Sequence, residues 1–428
     1  MAEEIVENWT HILINGKSKK LEVKVKPSDF NKGRLVNLSE IRPFNNKDSE
    51  GNEIKPTAEI ANNEKRKFFK AFFQKPFKNL VLLSGAGSSM DVGGKSMYQL
   101  WIIAERKFYF EEKESKIVNS DFKDLCSTIN FDYESKNLEA LLSHIEGVIK
   151  FSGDTEIELK ESKKNLSEIK KVIFETIKEE CTIDTPPKEA FPHKVLLEKI
   201  LQRKQTSPRV KVFTLNYDLL FEDAATEANA IVIDGFSYTF PRTFSGRYFD
   251  YDIVQREGSK LKEEDNFIQR VFHLHKLHGS INWERNKEKG SVEIKEFPKE
   301  PLMVYPREAK YEDSYEQPFF EMMARFQRNL RLNDDTLLVC LGYSFNDKHI
   351  NAAIEEAFNQ NPSFRLAVID PFFDNPNGSK LLLELKKTAL ESERILMVSE
   401  TFTDFASHFP EIQTYDDIKQ VTINSKND

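Results

Sequence analysis

Short, almost uninterrupted apolar runs recur along the chain, with amphipathic helical patterns between them. They are Asn79-Leu80-Val81-Leu82-Leu83, Val210 to Leu215, Ile231 to Ile233, Val271 to Leu277, Thr336 to Leu341, Leu366 to Ile369 and Ile395 to Val398. Such runs are too short for core helices and lack the alternation of half-exposed strands, so each reads as a strand buried on both faces. Buried strands alternating with amphipathic helices dictate a sheet covered on both sides. The expected fold class is therefore α/β, a doubly wound, mostly parallel, Rossmann-like sheet.

Two stretches fall outside that alternation. Residues 1–78 mix short apolar alternation, Leu21 to Val25, with Asn- and Lys-rich segments and an aromatic helical segment at Phe68, Phe69, Phe72 and Phe73. They read as an N-terminal extension, not needed to complete the sheet and open to use in assembly. From about 119 to 205 the periodicity is helical: Leu138, Leu141, Leu142, Ile145, Val148 and Ile149 recur at offsets of three and four, as do Ile169, Val172, Ile173 and Ile177. Thr185-Pro186-Pro187 interrupts the pattern and His193 to Lys204 resumes it. No strand pattern intervenes, which predicts a helical insertion whose dense Lys and Glu form a solvated outer face. The expected division is an extension at 1–78, an α/β domain at 79–415 containing the insertion, and a tail at 416–428.

Composition excludes several function classes. Lys plus Arg number 62 and Asp plus Glu 70, a net charge of −8, so the surface as a whole is no nucleic-acid footprint and direct nucleic-acid binding is not expected. No apolar run approaches the roughly 18 residues of a membrane span, and the first residues lack the basic and apolar regions of a signal peptide, so a cytoplasmic protein with no membrane role is expected. The three cysteines, Cys126, Cys181 and Cys340, are too scattered for a disulfide framework or a Cys-x-x-Cys zinc site.

In open α/β sheets, ligands bind beyond the carboxyl ends of the strands, and a glycine turn opening a helix there presents backbone N–H groups to a phosphate. Gly85-Ala86-Gly87-Ser88 follows the first strong strand, although Met90 occupies the third glycine position of the usual dinucleotide fingerprint. Tight strand-to-helix packing also explains such a turn. Other strand ends carry polar or glycine residues too: Asn216-Tyr217-Asp218, His278-Gly279-Ser280, Gly342-Tyr343-Ser344 and Asp370. Singly, Asp218 reads as a helix N-cap, Asn216 as a turn residue and Asp370 before Pro371 as the start of a turn. Together they would ring one cleft.

Gly85-Ala86-Gly87-x-Ser89, Thr214-Leu215-Asn216-Tyr217-Asp218, Leu277-His278-Gly279 and Gly342-Tyr343-Ser344 resemble, in order, the motifs of sirtuin-like NAD-binding domains, across about residues 79–400. The resemblance implies that Gly85, Ala86, Gly87 and Ser89 contact the pyrophosphate and ribose of NAD+. Asn216 would hold the nicotinamide ribose or the attacking water, and His278 would be the catalytic base. Asp218 joins the cofactor-binding set, and Gly342, Ser344 and Asp370 line the adenosine side. The zinc ribbon of the protein-deacylating members is missing, since no cysteine lies between 181 and 340, and so is their Gly-x-Pro-x-Phe-Arg stretch, replaced here by Val92 to Met97. The pattern is closer to the zinc-free effectors of bacterial anti-phage defence, which hydrolyse NAD+ and deplete the cell of it. Among these, the extension, the insertion and the length are most similar to the subunit that assembles with a hexameric HerA-type ATPase.

Breaking the nicotinamide–ribose bond passes through an oxocarbenium-like state, which needs a fixed ribose and a nucleophile on the opposite face. A neutral carboxamide at Asn216 suits the first task, and an imidazole with an ordinary pKa near 6.5 at His278 suits the second. No metal is expected: His273 and His275 share a strand parity that His278 does not, and no acidic residue lies nearby before Glu284. The expected activity is NAD+ hydrolysis to nicotinamide and ADP-ribose in abortive infection. The alternatives are a deacylase or ADP-ribosyltransferase of sirtuin type, or a non-catalytic module that senses NAD+ or ADP-ribose in a larger assembly. An unregulated NAD+ hydrolase would kill its host, so control through homo-oligomerisation or a HerA-type partner is expected.

Overall fold

The computed structural model describes residues 7–45, 47, 52–111, 118–158, 163–204, 207–256, 266–303, 317–332 and 335–410; the tail expected at 416–428 lies outside the described residues. A ten-stranded sheet organises the chain. In chain order its strands are β1 (Asn8–Ile14), β2 (Lys20–Val25), β3 (Glu40–Arg42), β4 (Asn79–Ser84), β5 (Val210–Thr214), β6 (Ile231–Ile233), β7 (Val271–Lys276), β8 (Thr336–Leu341), β9 (Arg365–Ile369) and β10 (Ile395–Val398). Their order across the sheet is β6-β7-β5-β4-β8-β9-β10-β1-β2-β3. The seven strands from β6 to β10 pair in parallel; the remaining three join antiparallel.

The helices are α1 (Ala58–Gln74), α2 (Met97–Arg106), α3 (Asp121–Thr128), α4 (Leu138–Ser152), α5 (Leu166–Cys181), α6 (Pro192–Ile200), α7 (Leu220–Glu227), α8 (Phe319–Arg331), α9 (Lys348–Gln360), α10 (Lys380–Ala389) and α11 (Phe402–His408). Both faces of the sheet are covered, which is why its strands are apolar at successive positions. Leu80 and Leu82 face a core shared with Phe72 of α1, Leu196 of α6, Phe221 of α7 and Phe405 of α11. Val81 and Leu83 face the opposite core, shared with Phe326 of α8, Ile354 of α9 and Leu382 of α10. The doubly wound α/β class is thus the one the molecule adopts.

Three expectations need correction. Residues 8–42 do help complete the sheet: β1 pairs with β10 (Leu13 opposite Val398), and Ile12, Leu13, Leu21 and Val23 are buried in the core. Their alternating pattern reflects an antiparallel margin with one face more exposed. The helical region also holds short strands, Glu156–Glu158 pairing with Lys163–Asn165. And it divides physically: α2 to α5 share a separate core around Trp101, Phe122, Leu142 and Ile173, whereas α6 belongs to the main sheet's core. Among the described residues no helix is long and apolar enough to cross a membrane.

Candidate functional site

The registers place the sequence candidates along one line. Thr214 of β5 is paired with both Ser84 of β4 and Lys276 of β7, and Leu341 of β8 with both Ser84 and Ile369 of β9. Backbone bonds continue just past the strands, from Leu215 to the Ser84 carbonyl, from Leu277 to that of Thr214, from Gly85 to that of Leu341 and from Gly342 to that of Ile369. Gly85, Asn216, His278, Gly342 and Asp370 therefore all lie one or two residues beyond the same carboxyl edge. From β4 the chain moves outward to β5 and later returns to β8 on the other side of β4, so β4/β8 is the topological switch point where such sheets open a crevice.

The glycine turn meets that crevice in close packing. Gly342 adopts a left-handed conformation (φ +57°), and a Cβ there would lie 2.5 Å from the Cα of Gly87. A Cβ on Gly85 would lie 2.7 Å from the Gly342 carbonyl oxygen. Backbone-on-backbone contact is what these glycines permit. The amides are less available than the sequence suggests: those of Gly85, Gly87, Ser88 and Ser89 donate to the carbonyls of Leu341, Gly342, Gly85 and Ala86, which leaves the amide of the exposed Ala86.

Asn216 is locked onto this turn. Its Nδ2 donates to the Gly85 carbonyl (3.1 Å), Ser88 Oγ (3.2 Å) and Ser89 Oγ (2.9 Å), and its backbone amide to Thr214 Oγ1. The half-buried side chain is thereby oriented with Oδ1 as its unused acceptor. Asp218 is buried: Oδ2 accepts the Ser89 hydroxyl (2.7 Å) and Oδ1 the amide of Leu220, at the start of α7. Burial pushes its carboxyl up, against the pull of Lys276 and Ser89. Asp218 acts here by orienting Ser89 and holding the first amide of α7. Buried Lys276 fastens the same loop, donating to the Asp218 carbonyl and to Glu222 Oε1.

His278 faces a partner that sequence reasoning missed. Its Nε2 lies 3.1 Å from Asp347 Oδ2, while Asp347 Oδ1 accepts the amides of His349 and Ile350 at the start of α9. A helix N-terminus fixes and favours this carboxylate, and His278 helps hold its pKa below the usual range despite burial. With Nε2–H donating to Asp347, the lone pair of the neutral ring falls on Nδ1. The expectation of an ordinary imidazole pKa is corrected: burial lowers it, but Asp347 and Glu139 together outweigh burial and raise it. The loops joined by this pair leave β7 and β8, three strand spacings apart and so roughly 14 Å of sheet. The pair thus brackets the ends of β5 and β4, where Asn216 and the glycine turn sit.

The remaining candidates are spread along the edge. Ser344 is exposed between Gly342 and Asp347. Asp370 accepts the amide of Phe372 (2.8 Å), and burial raises its pKa. His275 stacks between Phe213 and Phe249 (centroids at 4.3 and 4.1 Å), away from the His278–Asp347 pair, and among the described residues no group of three or more His, Cys, Asp or Glu is arranged to hold a metal. After His278 the chain turns at Gly279 (φ +94°), where a Cβ would collide with the Leu302 carbonyl, into a three-stranded antiparallel sheet of Gly279–Arg285, Val292–Ile294 and Pro301–Met303. Buried Trp283 and the Glu284–Lys295 pair consolidate it.

No curated protein matches this chain. Among solved structures, a mutant Sir2 homologue in complex with ADP-ribose is 14% identical, covers 80% of this chain and 95% of its own, and has a TM-score of 0.35. Sir2Tm bound to a propionylated peptide is 11% identical, with 80% and 95% coverage and a TM-score of 0.32. The model of the SIR2-like domain family matches residues 210–391, the stretch that carries Asn216, His278, Gly342, Asp347 and Asp370, so over these residues the chain is similar to SIR2-like domains.

Proposed function

We propose that this protein hydrolyses NAD+ at the nicotinamide–ribose bond, releasing nicotinamide and ADP-ribose, and that it thereby depletes NAD+ in cytoplasmic anti-phage defence by abortive infection. The observation that carries the reading is the bracketing of Asn216 and the glycine turn by the His278–Asp347 pair at the switch point; the similarity to SIR2-like domains over the same residues supports it. In the reaction, Asn216 Oδ1 orients the water or a ribose hydroxyl. As the C1′–N bond breaks, the electron pair leaves with nicotinamide as a neutral molecule. The water oxygen bonds to C1′ and its proton passes to His278 Nδ1 and then to solvent, so NAD+ and water give nicotinamide, ADP-ribose and a proton. Ala86 and Ser89 contact the pyrophosphate and ribose, and Gly342, Ser344 and Asp370 flank the adenosine side. Self-association and a hexameric HerA-type ATPase are the proposed partners.

The test is nicotinamide release from NAD+ by the full chain, with and without such an ATPase. Asn216→Ala and His278→Ala should each lower turnover at least about 100-fold while leaving the folded spectrum intact. Undiminished turnover in both variants would refute the assignment.

A further inference from the structure

A lysine closes β7, a strand buried along its whole length. Lys276 is 2% exposed, and its backbone lies opposite Thr214, the last residue of β5. Burying an ammonium is costly unless its three N–H groups find acceptors. Here they are spent on the connection between β5 and α7: Nζ donates to the Asp218 carbonyl, to Glu222 Oε1 in the first turn of α7 (3.0 Å) and, at 3.4 Å, to the Tyr217 carbonyl. The Tyr217 carbonyl is also reached from beyond His278, by the Ile281 amide (3.1 Å) and the Ser280 hydroxyl (3.4 Å). Residues on both sides of His278 therefore grip the two residues that follow Asn216.

We propose that Lys276 is a positioning residue for Asn216, fixing the loop that carries the carboxamide against the strand that leads to the imidazole. The proposal rests on the reading above, in which both side chains serve one reaction. The path from the ammonium to the carboxamide is short, and each link is a contact. Lys276 holds the backbone at Tyr217 and Asp218. Asp218 Oδ2 takes the Ser89 hydroxyl proton, which leaves the Ser89 oxygen turned to accept from Asn216 Nδ2 (2.9 Å). Nδ2 also meets the Gly85 carbonyl and Ser88 Oγ, so once the loop is set Oδ1 has one orientation. An apolar side chain at 276 would fill the space but withdraw the donors, and the loop would shift to satisfy its oxygens elsewhere. The clasp acts on geometry and not on the ligand, so its loss falls on kcat more than on KM.

The test follows the Asn216 side-chain amide in the full-length, substrate-free protein. Its two Nδ2 protons, assigned in nitrogen–proton correlation spectra by their loss in Asn216→Ala, are compared in the parent, Lys276→Met and Glu222→Ala, with folding checked by urea denaturation. Lys276→Met should move both resonances toward those of a solvated carboxamide, and Glu222→Ala, which removes one of the three acceptors, should move them the same way by less. Unmoved resonances in folded Lys276→Met overturn the proposal; if that variant does not fold, unmoved resonances in Glu222→Ala overturn it. With NAD+ as substrate, Lys276→Met should lower kcat at least about 10-fold while KM changes less than about threefold. A kcat per folded molecule equal to the parent's would mean a merely structural lysine and would also overturn it. Absence of NAD+ hydrolysis in the parent would sink the hydrolase reading alone, since the amide resonances are read without substrate.

Discussion

At the scale of single residues, two glycines separate conformational need from accident. Gly342 has a left-handed backbone and sits against Gly87, so Gly342→Ala meets both strain and a collision. It should cost about 2–4 kcal/mol by urea denaturation, since its nearest neighbours are backbone atoms that cannot swing aside. Gly147, inside α4 with nothing within 4 Å of a Cβ, is the opposite case: Gly147→Ala should stabilise by about 0.5–1 kcal/mol. The same contrast explains what could be read in advance. Gly85, Asn216, His278 and Gly342 were legible because each interrupts an apolar run at its end, where an α/β sheet places ligands. Asp347 was not, because it reads as an ordinary helix cap. Only the fold brings it to His278, across 69 positions of chain.

At the scale of elements, the parallel strands were legible from apolar runs alone, since burial on both faces leaves no other pattern. The N-terminal strands were not legible as part of that sheet. The alternation from Leu21 to Val25 marks a strand, but nothing local says that β1 will pair with β10, nearly the whole chain away. Their contribution can be weighed by truncating a core side chain: Leu13→Ala should cost about 2–5 kcal/mol in urea denaturation. A loss within about 0.5 kcal/mol would mean that this hairpin is an appendage, as its sequence position suggests. Residues 279–303 show a different limit. Their short strands are held by one buried Trp283, the sharp turn at Gly279 and the Glu284–Lys295 pair, and such a small sheet has too little apolar periodicity to announce itself.

At the scale of the whole molecule, buried histidines make the fold sensitive to mild acid. Burial holds His193 and His273 at about 3, and lowers His275 well below the ordinary value as well. His193 packs against Phe221 and Phe402, and neither of its ring nitrogens has a hydrogen-bond partner. The unfolded chain binds protons at these sites as pH falls through about 6.5 while the folded chain does not, so each site favours unfolding by up to about 1.4 kcal/mol per pH unit below that point. His278, raised on folding, works in the other direction: its contribution is present below about pH 6.5 and is lost as pH rises through its folded value. Between about pH 6.5 and about pH 5 His278 is charged in both states and adds no slope, so the contribution of the three buried histidines to stability should fall across that window. His193→Leu should flatten that fall by about one proton's worth, read from urea denaturation at about pH 7 and about pH 5.

The margins of the large sheet carry a last consequence. One ends in β6, only three residues long, and the other in β3, also three residues, with exposed Glu40 and Arg42 on either side of Ile41. Short, charge-flanked borders give an incoming backbone almost no ladder to extend. The large sheet is therefore a poor template for multimers built by strand addition, and runaway stacking of its margins into fibres is disfavoured by its outline.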